Sequence, residues 1–98
     1  MAWLVTFADE PTRVGLRKTH LDKHIAYVRS VAGSLLAAGA LRDTADGQQT
    51  GGMWLIDKPT RAEAMAIFEA DPFFKEGLRA DVAVRHWTKG VWDGKAGS

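Results

Sequence analysis

The order of its apolar segments constrains the fold of this chain more than any other feature. Residues 2–7, 35–41, 53–56 and 82–88 have the length and the apolar or alternating pattern of strands. Helical patterns lie between the first and second of these segments and between the third and fourth. The resulting order predicts an α+β, ferredoxin-like βαββαβ fold, in which one antiparallel sheet carries two helices on one face.

The first helix has a clear apolar face but less clear ends. Thr19, followed by Asp22 three residues later, resembles a capping box, so we expect the helix to begin near Thr19. Periodicity alone would continue the helix through Leu36, but Gly33 favours an end there. Side chains that recur at helical spacing predict its buried stripe: Leu21, His24, Ile25, Val28, Val31 and Ala32.

Asp71 precedes a proline, and this pair marks a boundary between two elements. The residue before a proline is disfavoured in helical conformation, so Asp71 is predicted to be an N-cap and Pro72 the first residue of a short helix. Gly77 is predicted to end that helix. This structural role alone would explain Asp71. Thr60 and Glu63 form a second capping-box pattern, which opens the preceding helix.

Length and composition bound the domain and its partners. The 98 residues predict a single domain over residues 1–92, followed by a disordered tail over residues 93–98. The net charge is +1 with scattered basic residues, which argues against nucleic acid as a partner. The absence of cysteine, of a signal peptide and of a long apolar run leads us to expect a cytoplasmic protein that does not bind membranes.

The sheet is expected to have two apolar faces. The first and third strands carry large apolar residues on both sides, whereas both helices are expected to cover the same side. The other side would leave a large apolar patch exposed in a monomer. We therefore predict a homodimer with two-fold symmetry that packs sheet against sheet.

His24 could carry acid/base chemistry, and Asp71 is a carboxylate that could pair with it. Histidine exchanges a proton at neutral pH, and a carboxylate bonded to its second nitrogen fixes the tautomer. Contact between the two residues is possible because both helices are expected on one sheet face. The alternative for His24 is a packed histidine bonded to a backbone carbonyl.

Other polar residues suggest a substrate site rather than a metal site. His20 and His24 have a metal-ligand spacing, but a third ligand is not evident, so we expect neither a metal nor a cofactor. Tyr27 lies three residues after His24, although its alternative role is that of an amphipathic residue at the core edge. Arg17 and Arg42, like Arg85, could hold a carboxylate or phenolate. Tyr27, Arg17 and Arg42 are therefore the candidate substrate-binding residues.

Three segments, residues 24–28, 35–40 and 70–87, resemble the YciI-like (YCII-related) family. The resemblance implies a small dimeric α+β barrel in which His24 and Asp71 form a catalytic pair. It also implies, for some relatives, lyase activity on chlorinated hydroxy-aromatic compounds. The sequence departs from the family pattern in four places: Leu21-Asp22-Lys23 stands where Arg-Pro is common, Met53 replaces a serine, and Ala40 and His86 replace prolines.

The resemblance and the residues together lead to one functional hypothesis and two alternatives. The hypothesis is a small-molecule enzyme that uses a His-Asp pair for elimination or isomerisation of a small polar or aromatic substrate. The first alternative is a non-catalytic dimeric module that binds a small ligand or a protein. The second is a haem- or oxygen-handling relative on the same barrel, which a colourless protein that fails to bind added haem would exclude.

Overall fold

The predicted order of elements is confirmed in the computed structural model, which describes residues 1–96. The elements are β1 (Ala2–Asp9), α1 (Leu16–Val31), β2 (Leu35–Arg42), β3 (Gln49–Asp57), α2 (Arg61–Glu69), α3 (Pro72–Lys75) and β4 (Arg79–Trp87). The four strands form an antiparallel sheet in the order β2-β3-β1-β4. None of the helices within residues 1–96 has the length and apolarity needed to cross a bilayer.

Successive residues of β1 and β3 point to opposite faces of the sheet, and the helices pack against one of these faces. Val5 lies opposite Trp54 on the inner face, whereas Leu4 lies opposite Leu55 on the outer face. The buried cluster on the inner face joins the sheet to α2 and consists of Val5, Phe7, Trp54, Ile56, Ala64 and Phe68. Tyr27 and Val28 of α1 and Phe74 of α3 pack against this cluster.

The helix α1 begins earlier than the sequence suggested. Its N-cap is Gly15 and its first residue is Leu16, so Thr19 lies within the first turn rather than before it. Gly15 is exposed and has no side chain that could accept a hydrogen bond from the first amides of α1. Water can accept these hydrogen bonds instead. The other end is close to the prediction, since α1 ends at Val31 and a short 3₁₀ turn, Ala32–Ser34, leads into β2.

The predicted buried stripe of α1 is only partly covered. No side chain of α1 is fully buried, and Leu21 and Ile25 are 41% and 38% exposed. The strand that they face across a cleft, β2, offers only small side chains there, Ala38 and Ala40 with Gly39 between them. The stripe was predicted from spacing alone, which does not show what lies opposite it.

The other two predicted caps, at Thr60 and Asp71, are confirmed. Thr60 Oγ1 accepts a hydrogen bond from the amide of Glu63 at 3.1 Å and opens α2. Asp71 Oδ1 accepts one from the amide of Phe73 at 3.1 Å and opens α3. Gly77 follows α3 with φ at 80°, the left-handed conformation that lets the chain leave a helix.

A small hairpin follows β4 where we expected the disordered tail. Strands β5 (Val91–Trp92) and β6 (Lys95–Ala96) pair, and the Trp92 ring lies 5.9 Å from that of Trp87. Asp93 and Gly94, with φ of 54° and 76°, form the turn. An Asp-Gly pair is a strong hairpin signal that the composition argument overlooked. The prediction also covers Gly97 and Ser98, which lie outside the described residues.

Gly52 is required where β3 passes under Phe7. A Cβ at Gly52 would lie 2.5 Å from Phe7 Cζ and 2.8 Å from the Gly39 carbonyl oxygen. We predict that Gly52→Ala lowers the free energy of unfolding by about 1–3 kcal/mol, because the strand or the ring must shift. Urea denaturation measures the change.

Gly39→Ala is the matched control for this prediction. Within one chain a Cβ at Gly39 meets nothing within 4 Å, so the same substitution one strand away should leave the stability of the monomer unchanged or slightly increased. Equal effects at Gly39 and Gly52 would show that close approach to Phe7 does not determine the requirement for glycine.

Candidate active site

The carboxylate of Asp71 is the centre of the candidate site. Its side chain is 0% exposed, and as the N-cap of α3 it is already bonded to the amide of Phe73. A buried carboxylate requires several donors to remain ionised. The structure supplies two more from other parts of the chain, His24 and Arg79.

His24 reaches Asp71 from α1. His24 Nδ1 lies 2.8 Å from Asp71 Oδ1 and 2.9 Å from Oδ2. The imidazole also stacks on the Phe73 ring, with centroids 4.1 Å apart and planes 7° from parallel. The carboxylate and the aromatic ring thus fix both the hydrogen bond and the plane of the imidazole. The structure brings the two candidate catalytic residues together.

Arg79, the first residue of β4, is the third donor to Asp71. Its Nη2 lies 2.9 Å from Asp71 Oδ2, and its side chain is 4% exposed. The guanidinium carbon lies 4.0 Å from the centroid of the Phe7 ring. Three further aromatic rings lie within 5.8 Å, those of Trp54, Phe68 and Phe73. The aromatic faces give partial compensation for the water that this cation has lost.

Burial lowers the pKa of Arg79 to about 10. The negative charges of Asp71 and Asp9 oppose this effect, and the positive charge of Arg17 adds to it. Even the lowered pKa keeps the guanidinium charged at neutral pH. Asp71 therefore faces a permanent cation as well as His24.

Arg17 and Asp9 form a second ion pair beside the first. Arg17 donates to Oδ2 of Asp9, a residue that is 7% exposed and lies opposite Arg79 in the β1–β4 register. The Arg17 guanidinium also lies 5.6 Å from the centroid of the Phe73 ring. Charges of opposite sign thus alternate from Arg17 through Asp9 and Arg79 to Asp71, which bonds to His24.

These residues line an open cleft of about 310 Å³ between α1 and the sheet. One wall is the half-covered apolar side of α1, with Leu21, Ile25 and Val28. The opposite wall is the small-residue segment of β2. Aromatic and polar side chains complete the lining: Phe7, Trp54, Phe73, Arg17, His24, Gln49 and Arg79. Within residues 1–96, His24 Nε2 has no hydrogen-bond partner, so it is available to a ligand in the cleft.

Two of the three predicted substrate-binding residues lie away from this cleft. Tyr27 donates its hydroxyl to the Ile67 carbonyl at 2.6 Å, so its role matches the alternative of an amphipathic residue at the core edge. Burial raises the pKa of Tyr27, and the charge of Asp71 adds to the effect, so the phenol stays neutral. Arg42 is exposed at the end of β2, outside the cleft lining. Arg17 is the one that lines the cleft.

His20, the other half of the predicted metal-ligand spacing, faces a different partner. Its Nε2 lies 4.0 Å from Glu76 Oε2, and it is absent from the cleft lining. Among residues 1–96, no three histidine, aspartate or glutamate side chains gather where they could hold a metal ion.

The chain belongs to the YCII-related domain family, whose model matches residues 1–88. It is similar to a solved structure of 5-chloro-2-hydroxyhydroquinone dehydrochlorinase (TftG) from Burkholderia phenoliruptrix AC1100, in complex with 2,5-dihydroxybenzoquinone. The two chains are 26% identical, the match covers 92% of this chain and 96% of that one, and the TM-score is 0.81. None of the curated proteins matches the chain. The family and this neighbour support a small-molecule enzyme.

Asp71 should contribute far more to stability than a helix cap does. We predict that Asp71→Ala lowers the free energy of unfolding by about 3–5 kcal/mol, because it leaves the Arg79 guanidinium buried without a counter-ion. Thr60→Ala removes the comparable cap of α2, which has no ion pair, and should cost about 1 kcal/mol. Denaturant titration compares the two variants. Equal losses would mean that Asp71 stabilises the protein only as a cap.

Proposed function

We propose that this chain is a small-molecule enzyme in which His24 is the general acid/base and Asp71 orients it. The observation that carries the proposal is that the two imidazole nitrogens have different surroundings. Nδ1 is bonded to the buried carboxylate, while the ring lines an open cleft to which Nε2 is available. A histidine held in this way can take a proton from a ligand and return it.

The carboxylate favours one tautomer of the neutral ring. With the proton on Nδ1 and bonded to Asp71, Nε2 carries the free lone pair and can act as a base. After proton transfer the imidazolium is stabilised by the same carboxylate. The stack on Phe73 holds the ring plane through both states.

The cleft fits a small, flat substrate with at least one anionic oxygen. Its volume of about 310 Å³ lies at the lower end of the range for small-molecule sites. Leu21 and Ile25 offer exposed apolar surface in the cleft, and Arg17 offers a guanidinium that suits a phenolate or carboxylate oxygen. The dehydrochlorinase neighbour supports a chlorinated hydroxy-aromatic compound as such a substrate.

The proposed reaction is an elimination. His24 Nε2 takes a proton from the substrate, chloride leaves with the electron pair of its C–Cl bond, and the electrons of the broken bond to hydrogen form the new double bond. The net loss is HCl, so the step needs no external oxidant or reductant. Isomerisation of a related substrate would use the same proton transfer without a leaving group.

We predict that His24→Gln lowers kcat for chloride release from 5-chloro-2-hydroxyhydroquinone by about 10²–10⁴-fold, because the variant has no general base. His20→Gln is the matched control, since His20 lies one helical turn earlier and outside the cleft lining. It should retain wild-type kcat. A chloride-sensitive electrode or absorbance assay follows the reaction.

A second outcome would favour the non-catalytic alternative. If the wild type binds 2,5-dihydroxybenzoquinone but turns over no chlorinated or hydroxylated aromatic substrate, the cleft is a binding site only. If wild-type turnover is observed and His24→Gln retains it, the assignment of His24 as the base is wrong.

We also propose that two copies of the chain pack through the outer faces of their sheets. The helices occupy the inner face, and the outer face carries apolar side chains from all four strands: Leu4, Ala37, Leu41, Met53, Leu55, Ala83 and Trp87. Two such faces packed with two-fold symmetry would remove this surface from water.

We predict that Met53→Glu converts a wild-type dimer into a monomer, because it places a charge at the centre of the packed faces. Ala62→Glu is the matched control, because Ala62 is exposed on α2 away from the outer face. Light scattering coupled to size-exclusion chromatography gives the masses. A wild-type protein that remains monomeric at high concentration would contradict the proposal.

A further inference from the structure

Arg79 faces the site because of an irregularity in β4. Thr6 pairs with Ala83 and Ala8 pairs with Ala80, so β4 carries one more residue than β1 over this stretch. Asp81, between these pairs, has φ of 49°, which is the conformation of a bulge residue. Strict alternation would place residue 79 on the same side as residues 83 and 85, which is the outer face. The bulge instead places Arg79 opposite Asp9, on the inner face.

Burial of Arg79 on the inner face costs free energy, and this cost is hard to explain if Arg79 only forms a structural ion pair. Only its Nη2 donates a hydrogen bond, whereas Nε and Nη1 are buried and have no partner within residues 1–96. In many proteins a buried ion pair stabilises the fold no more than well-packed apolar residues of similar volume would. A bulge and two unpaired buried donors are therefore poorly explained by stability alone.

We propose that Arg79 is a positioning residue for the proton transfer at His24, acting through Asp71. It holds the carboxylate against the imidazole and balances its charge, so that His24 gives up its proton readily between turnovers. This inference rests on the proposed function, because it assigns to Arg79 a part in the same acid/base chemistry.

The charges around His24 support this assignment. Asp71 at the start of α3 faces Nδ1, and Arg79 of β4 faces the same carboxylate. Arg17, on the same helix as His24, is paired with Asp9 of β1, and His20 faces Glu76 beyond α3. The two arginine–aspartate pairs are each neutral. A neutral His24 therefore leaves the cluster balanced, and the imidazolium adds one positive charge.

Removal of the Arg79 charge should make it harder for the His24 imidazolium to lose its proton. In Arg79→Gln an amide can still bond to Asp71, but the imidazolium becomes the only nearby cation facing that carboxylate. We predict that His24 in this variant stays protonated to a pH about one unit higher than in the wild type, the effect expected of a unit charge a few ångströms away. NMR detection of the His24 Hε1 signal against pH gives the midpoint without any substrate.

Two matched variants separate charge from packing. Arg79→Lys keeps a positive charge and should titrate close to the wild type. Arg85→Gln removes a charge from the outer face of the same strand, where Arg85 is exposed, and should leave the His24 midpoint unchanged. An Arg79→Gln midpoint that matches that of Arg85→Gln, or an Arg79→Lys midpoint that shifts as far as that of Arg79→Gln, would overturn the proposal.

A wild-type measurement decides the question if Arg79→Gln does not fold. The guanidinium NMR signals of Arg79 should shift with pH at the same midpoint as His24 Hε1, because both groups share one carboxylate. Arginine signals that do not respond at that midpoint would overturn the proposal. These titrations do not depend on turnover: an inactive wild type contradicts the proposed enzyme, whereas an active enzyme without the coupling contradicts only the role of Arg79.

Discussion

The carboxylate of Asp71 joins three parts of the chain that are far apart in sequence. The amide of Phe73, the imidazole of His24 and the guanidinium of Arg79 all bond to it, and its side chain is fully buried. Burial of an ionised carboxylate costs several kcal/mol unless such partners replace the lost water. The same contacts therefore open α3, fix α1 against it and hold the start of β4. The fold around the cleft depends on this one group remaining charged and paired.

The cleft exists because small residues stand opposite a half-covered helix. Leu21 and Ile25 of α1 would be core residues if β2 offered large side chains, but Ala38, Gly39 and Ala40 leave the space open. On the adjoining strand, Gly52 lets the Phe7 ring approach the backbone closely, and the Arg79 guanidinium lies over that ring. The space left between α1 and β2 is the cleft that His24 lines.

Local rules predicted most of the fold, and the family resemblance supplied the two residues at the centre of the candidate site. The period of the apolar residues gave the βαββαβ order, and the chemistry of Asp before Pro gave the cap of α3. The resemblance to the family pointed to His24 and Asp71. Spacing does not predict tertiary contacts: Tyr27 was a candidate because it lies three residues after His24, yet its hydroxyl donates to the Ile67 carbonyl of α2. Arg79 was missed because the last strand was predicted to begin at Val82, whereas β4 begins at Arg79. Alternation extended back from Val82 would also place residue 79 on the outer face, and only the bulge at Asp81 turns it inward.

We propose that Asp71 holds His24 with its proton on Nδ1 and leaves Nε2 free for chemistry. Nitrogen-15 NMR of the imidazole at a pH where His24 is neutral tests this claim directly, because protonated and unprotonated ring nitrogens have well-separated shifts. We expect the Nδ1–H form in the wild type, and loss of that preference in Asp71→Asn, whose amide can donate to Nδ1. A wild-type ring protonated on Nε2, or a tautomer unaffected by Asp71→Asn, would contradict it.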